Sequence, residues 1–198
     1  MNLPNKLTIG RIFLSLIIII FLLFPFDATG FNMPQLFVNE KIVIDVRYLI
    51  AGIFFLIAAV SDLVDGYIAK TTKKTTDFGT MSDTIADKIL VNAVLIILSA
   101  QGFIHPIIPV VIIVRDTFVN SIKMMCGGKG QVLEVTTVAK AKTACLMIGI
   151  TLTLFYNMPF ELFNLRIADF LLILAAVLSV ISGVQYYTEH KKKILKSI

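Results

Sequence analysis

Charge is scarce in this chain. Of its 198 residues 16% are Asp, Glu, Lys or Arg, against roughly 25% in an ordinary soluble domain. With 57% hydrophobic residues and a mean hydropathy of +0.88, an ordinary soluble fold is excluded; an integral membrane protein of one domain, residues 1–198, is expected. The only two cysteines, Cys126 and Cys145, show neither C-x-x-C nor metal-ligand spacing. A disulfide framework and a thiolate zinc site are thereby excluded, and both read as packing residues. Histidine is as rare: His105 falls in the short "QGFIHP" loop and His190 in the polar tail, both remote from other candidate ligands and read as solvated. No serine or threonine sits in a nucleophile elbow. A pI near 9.2 comes without the clustered basic face and aromatic or groove-reading elements that a nucleic-acid partner needs, so no nucleic acid is expected.

What is present is apolar sequence in long runs. Six stretches, at about 8–25, 48–69, 82–100, 106–126, 138–156 and 167–187, approach the roughly 20 residues that span a hydrocarbon core. They are continuous rather than alternating, which favours helices over a closed barrel. The fold class expected is all-α: a polytopic membrane protein with six transmembrane helices joined by polar or turn-rich pieces such as "FDATGFNMPQLFVNEK" and "KTTKKTTDFGT". Lys6, Arg11, Lys70, Lys73, Lys74, Lys88, Lys123, Lys129, Lys140, Lys142 and the tail "HKKKILK" fall on one side of such a topology, and Lys41, Arg47 and Arg166 on the other. By the positive-inside rule both termini are cytoplasmic. The first stretch lacks a clear A-x-A site and reads as a retained span, not a secretory signal.

Into this oily chain "SDLVDGYIAKTTKKTTDFGTMSDTIADK", from Ser61 to Lys88, sets five aspartates. Asp62 and Asp65 stand three apart near the end of the second helix, and Asp83 and Asp87 four apart near the start of the third. Such spacings share a helical face, so two carboxylate pairs can face each other across a helical hairpin at the cytoplasmic mouth. One aspartate at the bilayer centre costs roughly 2.5 to 3.5 kcal/mol, and four together repel. Divalent cations are the simplest compensation. Hard oxygens suit Mg²⁺, Mn²⁺ or Ca²⁺, and four carboxylates suit two ions that clamp a phosphoryl displacement. Pairing with Lys70, Lys73, Lys74 and Lys88 is the competing reading. Gly66, Ala69 and Gly79 leave a small-residue floor beside the carboxylates, suited to a nucleotide diphosphate. Asp77 reads as a solvated loop residue.

Asp62-Leu63-Val64-Asp65-Gly66-Tyr67-Ile68-Ala69-Lys70, with Gly79, Asp83 and Asp87 at their intervals, resembles the CDP-alcohol phosphotransferase signature D-x2-D-G-x2-A-R-x8-G-x3-D-x3-D. Lys70 replaces its arginine and gives up the bidentate fork that suits phosphate. "NLPNKLTIGR", "ADKILV", "VRDTFVNSIK" and "AKAKT" are similar to segments of the bacterial phosphatidylglycerophosphate synthases within that family. Asp116 stands where Glu is usual, and Ala139 where Gly is usual.

The resemblance implies transfer of the phosphatidyl group of CDP-diacylglycerol to glycerol 3-phosphate, releasing CMP, by a homodimer in the cell membrane with its active site facing the cytoplasm. It implies two Mg²⁺ or Mn²⁺ ions on Asp62, Asp65 and Asp83. Asp87 is implied as general base, also touching metal. Gly66, Ala69, Lys70 and Gly79 would line the CDP site, with Asn5, Thr8 and Arg11 closing it. Arg115, Lys140 and Lys142 would receive the acceptor phosphate, since an Arg inside a span is costly unless it lines a cavity; its competing role is a salt bridge to Asp116. Lys123 reads as a contact for anionic headgroups. A family member using another acceptor, such as a cardiolipin synthase or an inositol-phosphate-using enzyme, is the alternative. A cation transporter or channel is the alternative of another class, but it would spread its carboxylates through the membrane depth.

Overall fold

A computed structural model describes residues 3–26, 30, 33–38, 42–72, 77–127 and 136–195. For residues 3–8, 38, 42, 62–72, 77–84, 86–87, 125–127, 190 and 192–195 it describes the backbone only.

Six α-helices form over the apolar runs: α1 (Leu3–Leu23), α2 (Val46–Thr72), α3 (Asp77–Ala100), α4 (Ile107–Gly127), α5 (Thr137–Leu154) and α6 (Ile167–Leu195). Local chemistry sets several of their ends. Helix α1 stops two residues before Pro25, whose ring disfavours helix in the residue preceding it. The Asp45 carboxylate accepts the Arg47 N–H at 2.8 Å and caps α2. Helix α3 gives way to Gly102 in the left-handed region. Thr136 caps α5, its hydroxyl accepting the Ala139 N–H at 3.3 Å.

Two expectations about the connections are corrected. The "KTTKKTTDFGT" piece is not all loop, because α2 runs on to Thr72 and α3 begins at Asp77. Asp77 is therefore the first residue of a helix and not part of the loop. The polar piece before α2 is not without strands either. Residues Gln35–Val38 (β1) and Ile42–Asp45 (β2) pair antiparallel, so a small hairpin joins α1 to α2 in an otherwise helical chain.

Helix α1 packs against α2 and α3, while α6 packs against α4 and α5, and α2 touches α5. Ile18, Phe55, Leu98, Ile150 and Leu172 lie in one core that links α1, α2, α3, α5 and α6. A Cβ added at Gly149 would come within 2.9 Å of Leu172, so a bare backbone lets α5 and α6 close on each other. Among the described residues α5 and α6, over 137–154 and 167–189, are long and apolar enough to cross a membrane.

At the hairpin end, Tyr48, Phe103 and Tyr156 gather with ring centroids 4.7 to 5.8 Å apart. The Tyr48 hydroxyl donates to Gln101 Oε1 at 2.7 Å. In the α5–α6 connection the buried Asn157 side chain donates to Glu161 and to the Leu165 carbonyl, and accepts the Ala168 N–H. One amide thus ties the end of α5 to the start of α6.

Candidate functional site

The antiparallel path of the helices brings the end of α2, the starts of α1, α3 and α5, and the ends of α4 and α6 to the end of the molecule opposite the hairpin. A cavity of about 190 Å³ opens there. Three helical stripes make its walls. Lys88, Val91 and Asn92 come from α3; Asp116, Val119, Asn120 and Lys123 from α4; Ala139, Lys142, Thr143, Leu146 and Met147 from α5. Within each stripe the intervals are three and four residues, so each set lies along one helix face.

Asp116 is the electrostatic centre of the cavity. Lys142 Nζ donates to both its carboxylate oxygens, at 2.8 and 2.7 Å, and Arg115 Nη1 donates to Oδ1 at 2.9 Å. Arg115 Nη2 donates to Ser182 on α6 at 2.8 Å, and Ser182 in turn donates to the Ser179 carbonyl. The Arg115 stem passes over Gly183, where a Cβ would lie 3.1 Å from its Cγ. Its buried Nε has no hydrogen-bond partner among the described residues. Lys123 Nζ stands 5.7 Å from the centre of the Tyr186 ring, within reach of a cation–π attraction. Lys88, Arg115, Lys123 and Lys142 line the cavity together with Asp116, a cationic wall of a kind that suits a small anion.

The predicted acceptor residues divide here. Arg115 and Lys142 meet at the cavity; Arg115 also makes the salt bridge to Asp116 that was its competing role. Lys140 is exposed and is not among the lining residues. Two positions on a helix are separated by about 200°, so Lys140 and Lys142 point to nearly opposite sides. Lys123, read from the sequence as a headgroup contact, lines the cavity instead. Its interval of seven from Asp116 was the available signal, and it places both on one face of α4.

Arg11 on α1 is 3% exposed and lies on the helix that packs against both aspartate-bearing helices. The side chains of Asn5, Thr8, Asp62, Asp65, Gly66, Ala69, Lys70, Gly79, Asp83 and Asp87 lie outside the described residues. Their backbones belong to α1, α2 and α3. Asp62 and Asp65 are three apart in one unbroken helix, Asp83 and Asp87 four apart in another, which keeps each pair on one side of its helix. Among the described residues no three His, Cys, Asp or Glu side chains gather; the four aspartates expected to hold a metal lie outside those side chains. As hard oxygen donors without imidazole or thiolate they fit Mg²⁺ or Mn²⁺. Asp87 is followed directly by Lys88, which lines the cation cavity. His105 is exposed in its loop, and Cys145 is half-buried.

A sequence model of CDP-alcohol phosphatidyltransferases matches residues 1–184. The chain is 37% identical over 189 residues to the CDP-diacylglycerol–glycerol-3-phosphate 3-phosphatidyltransferase of Bacillus subtilis, covering 96% of this chain and 95% of that protein. It is 30% identical over 192 residues to the protein of the same name from Rickettsia bellii, 96% of each being covered. A third of that name, from Mycoplasma pneumoniae, is 34% identical over 154 residues, or 78% of this chain and 68% of the relative.

Proposed function

This chain belongs to the CDP-alcohol phosphatidyltransferase family, and from that premise we propose that it transfers the phosphatidyl group of CDP-diacylglycerol to sn-glycerol 3-phosphate. The products are phosphatidylglycerophosphate and CMP, and the reaction is a step of phospholipid biosynthesis. One observation carries the choice of acceptor: a cavity lined by Lys88, Arg115, Lys123 and Lys142 with Asp116 the carboxylate among its described lining, beginning one residue beyond Asp87. A phosphate monoester suits a lining in which Arg115 and Lys142, both bound to Asp116, stand beside Lys88 and Lys123.

The family is generally divalent-metal dependent, and Asp62, Asp65, Asp83 and Asp87 would hold Mg²⁺ or Mn²⁺, as two ions. When bound, the metal would neutralise charge on the diphosphate and on the leaving CMP. The chain's own residues do the remainder. Gly66, Ala69, Lys70 and Gly79, with Asn5, Thr8 and Arg11, hold the cytidine diphosphate against the aspartates. Arg115, Lys142 and Lys123 fix the acceptor phosphate. Asp87 takes the proton of the acceptor hydroxyl as its oxygen attacks the lipid-bearing phosphorus and the bond to CMP breaks. Asp116 does not touch the substrate in this scheme; it positions Lys142 and Arg115.

The protein is placed in the cell membrane as a single multi-pass domain of six spans. Its termini and active site face the cytoplasm, as the lysine distribution supports, and the working unit is a homodimer. The deciding experiment follows CMP release by the purified protein with CDP-diacylglycerol, Mg²⁺ or Mn²⁺ and a panel of acceptors. Release with glycerol 3-phosphate is expected. If only phosphatidylglycerol or inositol phosphate releases CMP, the acceptor is wrong; if none does, the enzyme reading fails.

A further inference from the structure

The hairpin between α1 and α2 has two unlike faces. Phe37 pairs with Val43 and Gln35 with Asp45, while Leu36 pairs with Ile44, so Phe37 and Val43 share the face opposite Ile44. Ile44 is 4% exposed although its cross-strand partner Leu36 is 48% exposed; Phe37 is 71% and Val43 47% exposed, on the face that also carries Gln35 and Asp45. An isolated two-stranded hairpin is marginal in water, yet this one is fastened at its base. The Asp45 N–H donates to the Tyr156 hydroxyl at 3.1 Å, the Val46 N–H to the Pro34 carbonyl at 3.3 Å, and the Asp45 carboxylate caps α2 and pairs with Arg47 at 3.3 Å. The outward apolar face is thus a fixed part of the fold.

Its surroundings say what covers it. Strand β1 follows α1, whose exposed Phe13, Ile17, Ile20 and Leu23, with Phe24 just beyond its end, carry an apolar surface toward the hairpin. In the α5–α6 connection Phe163 is 72% exposed, while the cavity that this connection shares with Val43 is lined also by Glu161, Arg166 and Asp169. Behind the hairpin stand Tyr48 and Tyr156, each with its ring packed and its hydroxyl hydrogen-bonded, and Arg47 lies 5.0 Å from the Tyr48 ring centre. These tyrosines are part of the packed interior, Tyr48 being 5% exposed, and they fix the hairpin rather than face its surroundings. The Asp45–Arg47 pair leaves no net charge at the hairpin's base. We propose that the outer face of the β1–β2 hairpin, Phe37 and Val43 foremost, seats in the bilayer at the boundary between headgroups and acyl chains, in the leaflet opposite the cation cavity.

This inference rests on the membrane reading of the chain, and the test separates the two. The sequence has no tryptophan, so Phe37→Trp and Val43→Trp each give the full-length protein a single fluorescent reporter. Ile173→Trp, at a 54% exposed position of α6, reports on the span itself. Each variant is reconstituted in phosphatidylcholine vesicles containing lipids brominated either near the headgroup or near the chain end. The hairpin reporters are expected to emit to the blue of tryptophan in water and to be quenched more by the shallow bromines; the α6 reporter should favour the deep ones. Hairpin emission like that in water, without quenching, overturns the proposal while a quenched α6 reporter leaves the membrane reading standing. Blue emission that no brominated lipid quenches means that protein, such as a second copy, covers the face, and overturns it too. Stronger quenching by deep bromines does the same. An unquenched α6 reporter would sink the membrane reading.

Discussion

Lys142 Nζ lies 2.8 and 2.7 Å from the two carboxylate oxygens of Asp116, and Arg115 from the same helix as Asp116 shares one of them at 2.9 Å. A carboxylate on α4 thereby holds a lysine on α5 that is 4% exposed. Leaving one partner of a buried pair alone costs up to about 3 to 5 kcal/mol.

Asp116→Asn removes a negative charge from the cavity, which by itself would favour phosphate, but it also frees Lys142 from its fixed place. The loss of position is expected to dominate. KM for glycerol 3-phosphate should rise about tenfold or more, with KM for CDP-diacylglycerol little changed, and thermal stability should fall. Asp116→Glu, which keeps the charge, should recover most of the acceptor affinity. Steady-state kinetics with each substrate varied separately checks this.

The three lysines near α4 and α5 should behave differently. A hydrogen bond to a charged group contributes roughly 1.5 to 3 kcal/mol, so Lys142→Ala and Lys123→Ala should each weaken glycerol 3-phosphate use roughly ten- to hundredfold. Lys140→Ala, on the exposed side of α5, should change it little. An equal loss in all three would mean that surface potential, and not the cavity, recruits the acceptor.

Gly183→Ala puts a methyl group 3.1 Å from Arg115 Cγ. Overpacking of this kind costs typically about 1 to 3 kcal/mol, and here the strain is relieved by moving the arginine stem. Acceptor KM should rise while nucleotide binding, measured by CMP inhibition, stays near that of the parent. Unchanged kinetics would show that the α4–α6 contact gives way instead.

Asp87→Asn should abolish turnover and leave measurable affinity for CDP-diacylglycerol. Chelation of divalent cations should abolish activity reversibly, with Mg²⁺ or Mn²⁺ restoring it. Turnover retained in Asp87→Asn would remove this residue as the base, and activity in excess chelator would remove the metal assignment.

Much of the architecture was legible because a long apolar run has few alternatives to helix. The hairpin was not: "QLFV" and "IVID" are four residues each, too short for periodicity to distinguish a strand from a polar connection that happens to be oily. The loop before α3 was read too long, because Lys, Thr and Asp suggest solvent whether or not the backbone is helical. In the cavity, Arg115 stood out because an arginine inside an apolar run is anomalous. Lys123 did not, since a lysine near a span's cytoplasmic end is ordinary. Only the seven-residue interval to Asp116 distinguishes it, and Lys140 would have been set aside by the two-residue interval to Lys142. The aspartate spacing is legible in the sequence, and the backbone puts each pair within one helix, while the four side chains lie outside the described residues.

Helix α5 has 18 residues and α6 has 29, which at 1.5 Å per residue makes them about 27 and 43 Å long. A hydrocarbon core is about 30 Å thick. On the membrane proposal α5 nearly matches that thickness, whereas α6 exceeds it by about 13 Å. The excess would carry the last turns of α6, with the exposed Lys191, out of the hydrocarbon to the level of the lipid phosphates.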